Sequence, residues 1–188
     1  MTPAARHAAA IDVLDRVLAG EPAEKALISW ARSSRYAGSG DRAAVRDLVF
    51  DVLRRRASHA ALGGGMTGRG LILGGLRERG QDPAAIFTGA RHAPPPLTSD
   101  ELAAGRIPDR LEALDCPAWL APDLEASLGP DFATVMAALR RRAPVHLRVN
   151  LRKATREAAA RRLAAEGIAT RPNPLSPSAL EVTSGSRA

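Results

Sequence analysis

Over the first two thirds of the chain, apolar residues recur at the three- and four-residue intervals that place one stripe along a helix. Ile11, Leu14, Val17 and Leu18 keep that spacing within residues 3–19, and Gly20 supplies a stop. A second helix opens at Pro22 and runs through Leu27 and Trp30 towards Arg35, where the turn-forming Ala37-Gly38-Ser39-Gly40 follows. The third pattern is the clearest. Asp41 is placed to cap a helix whose Val45, Leu48, Val49, Val52 and Leu53 form one continuous apolar stripe, with Arg42, Arg46, Asp47, Asp51, Arg54 and Arg55 on the other face. Residues 63–70, GGGMTGRG, read as a flexible joint before a short helix containing Leu71, Leu73 and Leu76, and Pro83 opens a further helical turn towards Phe87. After the loop of Pro94, Pro95 and Pro96, Thr98-Ser99-Asp100-Glu101 has the form of a capping box. Residues 117–128, with Trp119, Leu120, Leu124 and Leu128, predict an amphipathic helix ended by Gly129 and Pro130; Phe132, Val135, Met136 and Leu139 carry the next.

The period changes after Arg142. Pro144 breaks the helical pattern, and Val145, Leu147 and Val149 then alternate with His146, Arg148 and Asn150, the period of a strand with one face buried. Thr155 can cap a helix that runs through Leu163 and stops at Gly167, and residues 168–171 and 179–183 read as two more short strands. The expected fold is therefore mainly α: a helical bundle over residues 1–138, then a small α+β subdomain of β-α-β type over residues 139–188. No internal repeat is evident.

Charge divides the chain at nearly the same place. Residues 1–139 carry sixteen basic and seventeen acidic side chains, whereas 140–188 carry eleven and three. Within residues 140–162, RRRAPVHLRVNLRKATREAAARR, nine Lys and Arg face the single acid Glu157. Charge segregated in this way attracts polyanions, so a nucleic acid is the first partner to consider. Arginine makes up 25 of the 27 basic residues, which suits bidentate phosphate contacts, although a GC-rich genome produces the same excess of Arg and Ala. Aromatics are only 3%, so stacking platforms for bases are scarce and phosphate contact is the expected mode.

The other chemistry-bearing residues point less far. The single cysteine, Cys116, excludes an intramolecular disulfide framework and fits a reducing cytoplasm. It precedes a predicted helix, as a reactive thiolate would, but the adjacent Asp115 opposes ionisation and a packing role is favoured. The glycines of 63–70 invite a phosphate-loop reading, yet no Lys-Ser/Thr pair follows and no strand precedes them, so an interhelical linker is favoured. His7, His59, His92 and His146 are too scattered for metal-ligand spacing, and a metal site is not expected. No apolar run approaches the roughly 20 residues of a membrane span. Arg54, Arg55 and Arg56 end the third helix, where they suit either a phosphate or the helix dipole and Asp51 one turn back.

Three segments carry a family resemblance. Gly40-Asp41-Arg42 followed by residues 47–56, DLVFDVLRRR, resembles the NusB-like domain that opens the RsmB, Sun and Fmu family of bacterial ribosomal RNA cytosine methyltransferases. Pro117-Ala118-Trp119-Leu120 and residues 143–153, APVHLRVNLRK, with the helix and Gly167-Ile168 after them, agree with the same family. The resemblance implies a NusB-like helical bundle, a small α+β subdomain that contacts RNA, and then a Rossmann-like domain that uses S-adenosylmethionine. In that last domain one cysteine attacks carbon 6 of cytosine and a second assists release. This sequence has no acidic glycine-rich cofactor loop after a strand and no Pro-Cys or Thr-Cys motif; Cys116-Pro117 is in the reverse order. No cofactor and no catalytic residue is therefore expected in this chain, and S-adenosylmethionine only in the missing domain.

The expectation is an RNA-binding, substrate-positioning N-terminal part of a ribosomal RNA cytosine carbon-5 methyltransferase, cytoplasmic and inactive alone, with its catalytic domain supplied in cis or in trans. Ribosomal RNA is the expected partner, held by Arg42, Arg46, Arg54, Arg55, Arg141, Arg148, Asn150, Arg152 and Lys153, with no membrane and no metal. The alternatives are a stand-alone NusB-like antitermination factor, which explains the helical part but not the last fifty residues, and a scaffold whose basic strand docks on an acidic protein.

Overall fold

The computed structural model describes residues 1–185. It forms two compact units, Met1–Arg141 and a second from Arg142 onward. The sequence pattern divides the chain after residue 138; the units divide slightly later because the last helix of the first runs to Leu139.

The first unit is entirely helical. Its core joins α1 (Pro3–Leu18), α2 (Ala23–Ser33), α3 (Ser39–Arg54) and α5 (Gly68–Glu78) around Val13, Leu14, Ala26, Val45, Val49, Leu71, Ile72 and Leu76. The stripe read from α3 is the buried one: Val45, Val49 and Val52 are interior, and Leu48 and Leu53 pack at the margin. This helix starts earlier than its sequence suggests, after Gly38, so Asp41 lies inside the first turn. Its carboxylate does not cap. It takes the Met1 ammonium at 3.1 Å and Arg6 at 2.8 Å.

Between α3 and α5 lies α4 (Arg56–Gly63), an element the apolar pattern does not announce. Its interior positions are Ser58, His59, Ala61 and Gly63, too small or too polar to mark a stripe. The stretch 63–70 is a tighter link than a flexible joint. Gly63 ends α4, Gly64 caps it in the left-handed conformation at φ 84°, and Thr67 caps α5 through its hydroxyl. The glycines let α4 and α5 approach closely: a Cβ built on Gly63 would lie 2.7 Å from the Gly70 carbonyl carbon, and one on Gly74 2.6 Å from that of His59.

A second, smaller core follows α6 (Ser99–Ala103) and α7 (Arg110–Ala113). Cys116, Ala121, Phe132 and Met136 are buried there, mainly between α8 (Ala121–Leu128) and α9 (Phe132–Leu139). The capping box at Thr98 and Glu101 is present as read. The α8 helix begins four residues later than expected, since Pro122 is tolerated only in a first turn, and Trp119 in the preceding turn is 78% exposed.

The second unit is a three-stranded sheet with one helix. β1 (Val145–Arg148), α10 (Arg156–Ala165), β2 (Ala169–Pro172) and β3 (Ala179–Ser184) give the sheet order β1-β3-β2, with β3 antiparallel to both neighbours. The two strands joined by α10 are thus parallel, and β3 is inserted between them in a split β-α-β arrangement. Leu147 pairs with Leu180 and Val145 with Val182, while α10 packs on β2 and β3. Leu180, 1% exposed, is the centre of this small core.

Candidate nucleic-acid interface

The alternation along β1 sends His146 and Arg148 to the sheet face opposite Leu147 and Leu180. Across the sheet His146 pairs with Glu181, and Arg148 with Ala179. Glu181 is already neutralised by a two-pronged contact from Arg171, at 3.0 and 2.8 Å, which also holds its carboxyl below the usual range. Arg148 therefore faces no counter-ion across the ladder. Beyond the strand, Asn150 builds the turn. Its side-chain oxygen accepts from the Arg152 amide at 3.1 Å, and its carbonyl accepts from the Lys153 and Ala154 amides. Thr155 then caps α10 by accepting from the Ala158 amide at 3.2 Å.

These local rules of turn and cap place Arg148, Arg152 and Lys153 together at one end of the sheet, all exposed. Among the described residues no side-chain hydrogen bond or ion pair engages any of the three, nor Arg161 or Arg162 on α10. Asn150 belongs to the same place, but as the residue that shapes the turn.

The candidates in the helical unit separate into two groups. Arg54 lies 3.7 Å from Asp51; Arg55 lies 3.6 Å from Asp51 and donates to Glu78 at 2.7 Å. Arg46 lies 3.6 Å from Asp47. Arg140, the first cation of the basic run, donates to Glu78 at 2.7 Å and to the Ser58 hydroxyl at 3.3 Å, and its Nε stands 2.8 Å from Asp115 out of line for a hydrogen bond. Ser58 completes the network by donating to Asp115 from both its amide and its hydroxyl at 2.9 Å. Burial pushes the Glu78 carboxyl up, but hydrogen bonds from Arg55 and His59 outweigh it and bring it to about 2. His59 is wholly buried and held neutral by that burial, so the proton it shares with Glu78 at 3.1 Å sits on Nε2. This is an internal charge network closing α4, α5 and α9 together, and Arg55 and Arg140 belong to it.

Arg42 and Arg141 are different: both are exposed, and among the described residues neither has an ion pair. Arg42 lines a shallow hollow of about 540 Å³ with Ile28, Ala31, Arg32 and Arg35. The apolar pattern of α2 does not point to Arg32 or Arg35; Arg32 is spaced i+4 from Ile28 on the helix, and Arg35 lies in the turn after it.

The remaining candidates have structural roles. Cys116 is buried against Ala121, Phe132 and Met136, its Sγ 3.7 Å from the Pro117 carbonyl. Residues 63–70 join two helices, and their backbone is engaged in helix packing instead of facing a ligand. Among the described residues no group of three or more His, Cys, Asp or Glu could hold a metal, and no helix is long and apolar enough to cross a membrane.

Comparison with known protein families places the class of the C-terminal part. Residues 116–187 match the family model described as Methyltr_RsmF/B-like, ferredoxin-like domain. The match takes in α8, α9 and the split β-α-β unit, and it supports the resemblance to the RsmB, Sun and Fmu methyltransferases over that segment. No curated protein matches the chain.

Proposed function

We propose that this chain is the RNA-binding, substrate-positioning part of an S-adenosylmethionine-dependent ribosomal RNA cytosine carbon-5 methyltransferase, acting in the cytoplasm. The observation that carries the reading is the cluster of Arg148, Arg152 and Lys153, without counter-ions, inside the segment similar to the RsmF/B-like ferredoxin-like domain. In this reading the helical unit is the NusB-like domain, and its exposed Arg42 and Arg141 add to the RNA surface. The cofactor and the cysteine chemistry belong to a catalytic methyltransferase domain supplied in cis or in trans, and this chain's residues bind and orient the RNA. The antitermination reading leaves residues 116–187 without a role.

Cations that neutralise phosphates release counter-ions, so affinity falls as salt rises, by roughly 0.7 to 0.9 in the log–log slope per contact. Titrating a labelled 16S ribosomal RNA fragment across a salt series tests this. Replacing Arg148, Arg152 and Lys153 together with Ala should weaken binding and flatten the slope by about 2, with helix content unchanged. A wild-type chain whose affinity ignores salt would sink the reading. Preference for an antitermination leader RNA with a ribosomal protein would favour the NusB alternative.

A further inference from the structure

Most arginines of the helical unit have internal partners. Arg6, Arg16, Arg55, Arg106 and Arg140 each have a carboxylate within 3 Å. Arg77 donates to four backbone carbonyls, those of Leu62, Glu101, Leu102 and Ala104. Arg32, Arg35, Arg42, Arg56, Arg91 and Arg141 have no such partner among the described residues, and the first three share one place. They line one hollow, from the end of α2, the following loop and the first turn of α3, and among the described residues none of the three has a side-chain hydrogen bond or ion pair.

Three guanidinium groups converging on one hollow repel one another unless an anion joins them. The acid nearest in sequence, Asp41, already holds the Met1 ammonium and Arg6. The start of α3 adds positive potential, because Gly38 provides no side-chain cap for its first amides. Ala31 and the half-exposed Ile28 supply the apolar part of the lining. Such a hollow suits a strand, with phosphates on the guanidinium groups and a ribose against the apolar lining.

We infer that Arg32, Arg35 and Arg42 form a second RNA-phosphate contact, on the helical unit. This rests on the reading of the protein as RNA-binding and adds a site separate from the one at Arg148, Arg152 and Lys153.

The test uses the full chain and a labelled oligouridylate across a potassium chloride series. Replacing Arg32, Arg35 and Arg42 with Gln should lower affinity at least about tenfold and flatten the log–log slope by about 2, since single strands give roughly 0.7 per phosphate. Lysine at the same positions should restore most of the slope. If the glutamine triple variant loses helix content by circular dichroism, the single variants carry the test, each removing about 0.7 from the slope. Wild-type affinity and slope in the glutamine variant, with loss in the Arg148, Arg152 and Lys153 variant, would overturn this site and leave the RNA reading standing. A wild-type chain that binds no RNA would overturn both. Polyglutamate displacing the RNA as well as unlabelled RNA does, charge for charge, would show a site for acidic protein and overturn the inference.

Discussion

Arg140 shows how far a residue's charge is from its role. By sequence it opens the basic run, yet its guanidinium sits among Glu78, Asp115 and Ser58, and its side chain is only 21% exposed. The neighbouring Arg141 is exposed and carries no ion pair among the described residues. Nothing local distinguishes the two, because the partners of Arg140 lie 25 to 82 positions away in the chain. The excess of cations was legible; their division into paired and unpaired was not. Arg140→Ala would leave Asp115, with its side chain 6% exposed, hydrogen-bonded by Ser58 and with only the more distant Arg55 as counter-charge. Removing one partner of a largely buried pair destabilises by a few kcal/mol, and the partial exposure of Arg140 reduces this to about 2 kcal/mol. The expected outcome is a lower melting temperature with an unchanged salt slope for RNA binding. A flattened slope with no loss of stability would instead make Arg140 a phosphate contact.

At the scale of elements, legibility follows side-chain size. α1, β1 and β3 carry long apolar residues at a clear period and lie within a residue or two of their expected places; α3 carries the same kind of stripe but starts three residues early, and α10, with Leu163 as its one long apolar residue, is placed by its Thr155 cap and by Gly167. The missed helix α4 buries Ser58, His59, Ala61 and Gly63, and what fixes it is contact with α5. Its neighbour α5 is buried nearly all round, so its glycines serve close approach and not turning. Gly74 tests this directly. A Cβ there would stand 2.6 Å from the His59 carbonyl carbon and 2.8 Å from its Cα, both inside the 3.0 Å that real Cβ atoms respect, and both atoms are backbone. Gly74→Ala gains helix propensity of up to about 1 kcal/mol, but overpacking against backbone costs about 1–3 kcal/mol or more. The clash should win, giving a net loss of about 2 kcal/mol in denaturant unfolding, whereas Gly40→Ala, with nothing within 4 Å of its Cβ, should be neutral or stabilising.

Over the whole molecule the same charge bookkeeping sets the response to acid. Glu101, hydrogen-bonded by Arg69, and Glu112, hydrogen-bonded by Arg106, are each held at about 2, as is Glu78, against an ordinary value of 4.5. Unfolded, these carboxylates take up protons near 4.5 while the folded chain resists until about 2, so their contribution is present above pH 4.5 and lost as pH falls through that interval. His59 and His7, lowered from 6.5 by burial, act in the same direction and earlier: below pH 6.5 the unfolded chain binds protons that the folded chain does not. Asp12 opposes them, since burial and then Asp15 raise its carboxyl and the folded state takes its proton first. One acid stands against two histidines and six carboxylates held low, Glu21, Asp41, Glu78, Glu101 and Glu112 in the helical unit and Glu181 in the second, and each proton gained adds to the net charge of +7. Thermal melts followed by helix signal should therefore hold steady above about pH 7, begin to fall below pH 6.5, and fall more steeply below 4.5. In His59→Gln the first decline should shrink while the second remains. A melting temperature flat from neutral pH down to 3 would show that these pairs contribute nothing to folding.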